Sequence, residues 1–146
     1  MSTAFLFSKW IDEAWNKSNI DYLREIMDDN IIVHGIGTTS DSEGKEAFLS
    51  LYASLRQAIP EMHVINTVVC ETDTVATLYC SVTGRSIRNK PVSYTALCAG
   101  RFENGKLVEV WTIVDYLKMY QQLGHIMTPE PEDYKELSQK PPDEKK

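Results

Sequence analysis

No stretch of this 146-residue chain approaches the roughly 18 consecutive apolar residues that a membrane-spanning helix needs, so a helical span is not expected. The opening MSTAFLFSKWIDEAW lacks a basic start and a small-residue cleavage site, and it makes a poor signal peptide. Positive charge is also short. Fifteen Lys and Arg stand against 21 Asp and Glu, a formal charge of −6, and no basic block offers a track for phosphates. Nucleic acid is therefore not an expected partner. Cysteine is scarce and odd in number: Cys70, Cys80 and Cys98 show neither CxxC nor Cys/His metal spacing, which excludes a zinc ribbon and argues against a disulfide framework. Their apolar, strand-like contexts predict buried thiols in a reducing cytoplasm. Phosphate-cradling glycine loops, nucleophile elbows, HExxH and paired metal motifs are absent, so any enzyme here needs a sparse site of one or two titratable groups.

What is present suits one compact domain, with 42% hydrophobic and 25% charged residues. From Thr3 to Asn16 apolar side chains recur at three- and four-residue steps (Phe7, Trp10, Ile11, Ala14, Trp15), which predicts a first helix with one buried face. A second follows Asn19, where Asn19 or Ser18 supplies the cap, and a third runs from Lys45 to Ile59 and stops at Pro60. Between them NIIVHG predicts a short strand, Asn30 to His34, ending beside Gly35 and Gly37. From His63 four β-rich segments separated by tight turns predict an antiparallel meander, one face of which lies on the helices. This is an α+β order. Residues 1–124 form the expected domain. Residues 125–146 carry four of the six prolines and few apolar side chains, and read as an acidic tail, either a solvated terminus or an arm for a partner.

Alternation along the last strand sets Leu107, Glu109, Trp111, Ile113 and Asp115 on one face and Val108, Val110, Thr112 and Val114 on the other. Asp115 among apolar neighbours would be partly desolvated, which raises its proton affinity and suits general acid/base work. The competing reading is a helix cap for YLKMYQQLG. His34, at a strand end beside glycines, is placed at the mouth of a helix–sheet cleft or in a local structural role. His63 is a weaker candidate of the same kind, and His125 borders the tail. Arg101 in a small, apolar strand calls for a carboxylate, Glu109 or Asp115 across the hairpin, or for a ligand anion. Tyr94 and Trp111 read as core or pocket wall.

The segment FENGKLVEVWTIVDYLKMYQQLG closely resembles the ending of SnoaL-like polyketide cyclases, members of the nuclear transport factor-like superfamily. NIIVHG and the helix GKEAFLSLYASLRQAIPE are similar to further family segments, and the likeness covers about residues 5 to 124. It implies a cone-shaped barrel in which three helices close over a strongly curved mixed sheet, with an apolar pocket inside and a homodimer outside. It also implies a cofactor-free acid/base role for Asp115 beside a substrate carbonyl, the motif tryptophan being Trp111. Ile113 departs from the pattern, since the cyclases carry a histidine two residues before the aspartate. With the residue readings above, Asp115 and His34, the latter orienting a substrate oxygen, are the expected catalytic residues, and Trp111, Tyr94, Ile113, Arg101 and His63 the expected pocket residues. The ligand is a small apolar or carbonyl-containing molecule. The alternative is a non-catalytic ligand-binding or dimerisation module on the same fold.

Overall fold

The computed structural model describes residues 2–36 and 41–124; Gly37, His125 and the expected tail lie outside them. Helix α1 spans Thr3–Ile11 and is capped by Ser2, whose hydroxyl accepts the Phe5 N–H at 3.0 Å. The predicted single helix to Asn16 does not continue as an α-helix: Asp12–Asn16 widen into a π-helical turn, closed by Lys17 N–H on the Asp12 carbonyl at 3.1 Å. The wider turn carries Asn16 to an exposed sheet edge, where its amide donates to the Val64 carbonyl (2.9 Å) and accepts the Val64 N–H (2.7 Å). Helix α2, Ile20–Ile26, has the expected Asn19 cap, and α3 spans Lys45–Ala58.

The strands are β1 (Met27–His34), β2 (Ser42–Glu43), β3 (Glu61–Glu71), β4 (Val75–Arg85), β5 (Pro91–Glu103) and β6 (Lys106–Val114), followed by α4 (Tyr116–Gln122). They form one sheet in the order β2-β1-β6-β5-β4-β3. The predicted meander β3 to β6 is antiparallel throughout, while β1 joins β6 in parallel, which makes the sheet mixed. Helices cover one face, where Phe7, Trp10, Phe48 and Leu78 are almost wholly buried and Phe7 stacks on Trp10 at 5.7 Å. Each such side chain contributes about 1.5–3 kcal/mol by leaving water. Helix α4 docks differently. Strand β6 ends at Val114 opposite Ala96, so the Ser93 backbone has no strand partner on that side. The Gln122 amide takes that place, accepting the Ser93 N–H at 2.7 Å and donating to its carbonyl at 3.0 Å.

Simple alternation fails in β6 because Arg101 pairs with Glu109 while Phe102 pairs with Leu107, leaving Val108 as an extra, bulged residue. Leu107 therefore points inward on one side of the bulge, and Val110, Thr112 and Val114 on the other. Glu109, Trp111 and Ile113 share a face as expected, but that face is the outer one, away from the helices. His34 lies beside Trp111 on the same outer face, their rings stacked at 5.6 Å. Its Nδ1 meets Asp41 Oδ2 at 2.6 Å and its Nε2 meets Glu109 Oε2 at 2.8 Å. Glu109 in turn holds Arg101 at 3.0 Å, and Arg101 also pairs with Glu103. This chain of charges fastens β1 across β6 to β5.

Two predictions follow from how β1 is held. Gly35 has φ +82°, and a Cβ there would sit 1.8 Å from the Thr112 carbonyl oxygen, so Gly35→Ala should cost about 3 kcal/mol in urea unfolding. Glu109, then Asp41, raise the His34 pKa above 6.5, and His34, then Arg101, hold Glu109 below 4.5. The histidine's contribution is complete below pH 6.5 and is lost as pH rises through its raised pKa; the glutamate's is lost as pH falls through its depressed one. The stability deficit of His34→Gln, on the order of 1 kcal/mol for a partly exposed cluster, should thus be greatest between those limits and shrink toward alkaline pH. A deficit that grows with pH would contradict it.

Candidate functional site

Between the helix-covered face of the sheet and the helices lies a cavity of about 70 Å³. Trp10, Ile11, Trp15 and Leu55 roof it, the inward side chains of β4, β5 and β6 form its floor, and Tyr116 and Met119 bring α4 to one side. None of the described residues lining it is an Asp, Glu, His, Lys or Arg. Tyr116 also ties α4 to the end of β1, donating its hydroxyl to the Gly35 carbonyl at 3.1 Å.

The few polar groups are neutral and clustered. Tyr94 is buried, its hydroxyl makes no hydrogen bond among the described residues, and burial with Tyr116 nearby pushes its pKa up to about 12. The buried indole N–H of Trp10 has no partner among the described residues. Such groups cost free energy unless something accepts from them. Across the floor runs a polar seam. Asn66 pairs with Cys80 between β3 and β4, and Cys98 pairs with Thr112 between β5 and β6, two residues along the ladder from the partner of Cys80. The Cys80 thiol lies 3.1 Å from Asn66 Oδ1 and also faces Cys98. The neighbouring Cys98 thiol, then burial, push the Cys80 pKa up.

The expected site residues are not gathered here. Asp115 is exposed, not desolvated. Its Oδ1 accepts the Lys118 N–H at 3.1 Å as the cap of α4, and its own N–H donates to Thr95. The cap reading describes this geometry, because a strand that ends in a helix start turns the carboxylate back onto free N–H groups. Trp111 and Ile113, 39% and 74% exposed, lie on the outer face with His34 and Arg101. Arg101 has the predicted partner in Glu109, not Asp115. His63 is exposed on edge strand β3, and Cys70 is exposed rather than buried. Tyr94 does line the cavity. Trp10, Cys98, Thr112 and Tyr116 were not read from the sequence as site residues. Alternation through Val92, Tyr94, Ala96 and Cys98 carries the signal for the thiol, and the bulge at Val108 hides that for Thr112.

Among the described residues no cluster of His, Cys, Asp and Glu could hold a metal ion, and no helix is long and apolar enough to cross a membrane. Among curated proteins none matches the sequence. Solved structures do. A loop-truncated variant of IdmH shares 26% identity over 78% of this chain and 94% of its own, with a TM-score of 0.69. Wild-type IdmH is a proposed polyketide cyclase from Streptomyces antibioticus (24% identity, 79% and 94% covered, TM-score 0.67). A proposed SnoaL-like polyketide cyclase from Jannaschia sp. CCS1 has the same fold at 17% identity (86% and 95% covered, TM-score 0.76). Residues 6–123 match the family of SnoaL-like polyketide cyclases, and the chain belongs to that family.

Proposed function

We propose that the protein takes a small, mostly apolar compound bearing a carbonyl oxygen into the cavity under its sheet. The observation that carries this reading is the Tyr94 hydroxyl, without a hydrogen bond among the described residues, in a wall whose described residues carry no charge: a neutral donor, kept protonated by burial, that a carbonyl oxygen would satisfy. Family membership supports a small-molecule role. At about 70 Å³ the cavity has room for roughly two waters at about 30 Å³ each, so the ligand has few atoms unless Tyr116 and Met119 of α4 give way. Free thiols support a reducing, cytoplasmic setting.

Acid/base catalysis beside the carbonyl is the enzymatic form of this reading. Asp115 lies between two wall residues, Val114 and Tyr116, but acting as a proton shuttle requires it to leave the α4 cap and turn inward. Its hydrated, engaged position favours binding without turnover. His34, held between two carboxylates on the far face of the sheet, would act on that face and not on this ligand. The outer face, with Tyr79, Leu97, Trp111 and Ile113 exposed, supports a homodimer formed through the sheet.

Titration of 2-butanone into labelled protein should shift the Ala96 and Thr112 signals, and Tyr94→Phe should weaken binding about fivefold, the loss of one hydrogen bond. Equal binding by both proteins would overturn the assignment. Deuterium uptake at the carbon beside the carbonyl, present in the wild type and lost in Asp115→Asn, distinguishes catalysis from binding. Light scattering should give twice the chain mass, falling to one chain in Ile113→Glu; a monomeric wild type removes the dimer.

A further inference from the structure

We infer that Met119 is the specificity-determining residue of the cavity, restricting its ligand to short aliphatic carbonyl compounds and excluding aromatic ones. The inference rests on the reading of the cavity proposed above and narrows the class within it. At about 70 Å³ the cavity has less than half the roughly 150 Å³ at which a dry apolar cavity takes a benzene ring. A few heavy atoms around a carbonyl fit; an aryl ring does not.

Most of the wall has little freedom to give. The floor side chains of β4, β5 and β6 project from a continuous hydrogen-bonded ladder. In the roof Trp10 contacts Phe7 and Phe48, each at 5.7 Å between ring centres, and Trp15 packs on Tyr52 at 5.0 Å. Tyr116 is fixed twice, by its hydroxyl on the Gly35 carbonyl and by its ring on Tyr120 at 6.0 Å. Ile11 and Ile36 are buried but β-branched, and stiff at the first side-chain torsion. Leu55 and Met62 are only half-buried. Met119 differs from all of these. It is 4% exposed, unbranched and free of polar groups, with three side-chain torsions and a polarizable sulfur that fill whatever space the ligand leaves.

The backbone that carries Met119 is anchored on both sides. Asp115 caps the helix through the Lys118 N–H, Gln122 bonds the Ser93 main chain, and Lys90 Nζ donates to the Leu123 carbonyl at 3.3 Å. Shortening the side chain therefore leaves α4 in place and lengthens the cavity. Going from methionine to alanine removes three heavy atoms beyond Cβ, which roughly doubles the space and brings it to the size of a benzene site.

The test repeats the titration on labelled full-length protein with acetophenone beside 2-butanone. In the wild type acetophenone should bind at least about tenfold more weakly than 2-butanone, read from the Ala96 and Thr112 signals. Met119→Ala should reverse that preference, and adding Tyr94→Phe should weaken its acetophenone binding about fivefold, the loss of the same single hydrogen bond. Met119→Leu, which keeps the bulk, should retain the exclusion. Leu55→Ala, which opens a half-buried roof position to water, should leave the preference unchanged. Met119→Val, a smaller cut, should show the trend of Met119→Ala to a lesser degree and takes its place if the alanine variant does not fold. Equal wild-type affinities for the two ketones, an unaltered preference in the folded truncation, or the same reversal in Leu55→Ala would each overturn the inference while the ligand site stands. If neither ketone binds the wild type, the cavity reading fails and the inference with it.

Discussion

One surplus residue in the last strand governs which chemistry this sheet presents to its interior. Because Val108 bulges out of the β5–β6 ladder, the residues after it keep Val110, Thr112 and Val114 beneath the helices and send Glu109, Trp111 and Ile113 outside. A strand without that insertion would have to turn either Leu107 or the run from Val110 to Val114 outward, exposing apolar side chains that are now buried. The cost of that exposure, several side chains at about 1.5–3 kcal/mol each, far exceeds that of one unpaired position. The polarity of the cavity follows from it. Neutral phenol, thiol and hydroxyl groups face inward, and the ionised groups are collected on the opposite surface.

That separation also accounts for what could be read in advance. The three N-terminal helices, the Asn19 cap, the stop at Pro60 and the antiparallel meander all declare themselves through period and punctuation, which are local properties. The family signature at the C-terminal end added the mixed sheet, whose parallel β1–β6 pairing no local pattern encodes. The site was less legible. Period-2 alternation grouped Glu109, Trp111 and Ile113 correctly, yet it cannot say which of two faces is covered, and a bulge is invisible in a run such as KLVEVWTIV. Asp115 could not be separated from its capping role for the same reason: one residue ends a strand and begins a helix, and only the turn of the backbone decides where its carboxylate points.

The described residues around the cavity offer thiol, phenol and hydroxyl groups, and no carboxylate or imidazole. Burial pushes the Tyr94 phenol up to about 12, so it stays uncharged over the physiological range. Histidine and glutamate remain important to the molecule, but as an ion-paired brace between strands.

Two side-chain amides settle how firmly the cavity walls are spaced. Asn16 with Val64 and Gln122 with Ser93 each exchange a donor–acceptor pair with a main-chain unit, imitating the peptide of an absent strand. The roof and the flank are therefore hung from the sheet by bonds of fixed length, independent of how well the greasy side chains fit between them. Trimming one of those side chains enlarges the hollow instead of letting it collapse, which makes this scaffold receptive to guests of new size. Deamidation at either position would replace a donor by a repelling oxygen, and the scaffold would lose its gauge.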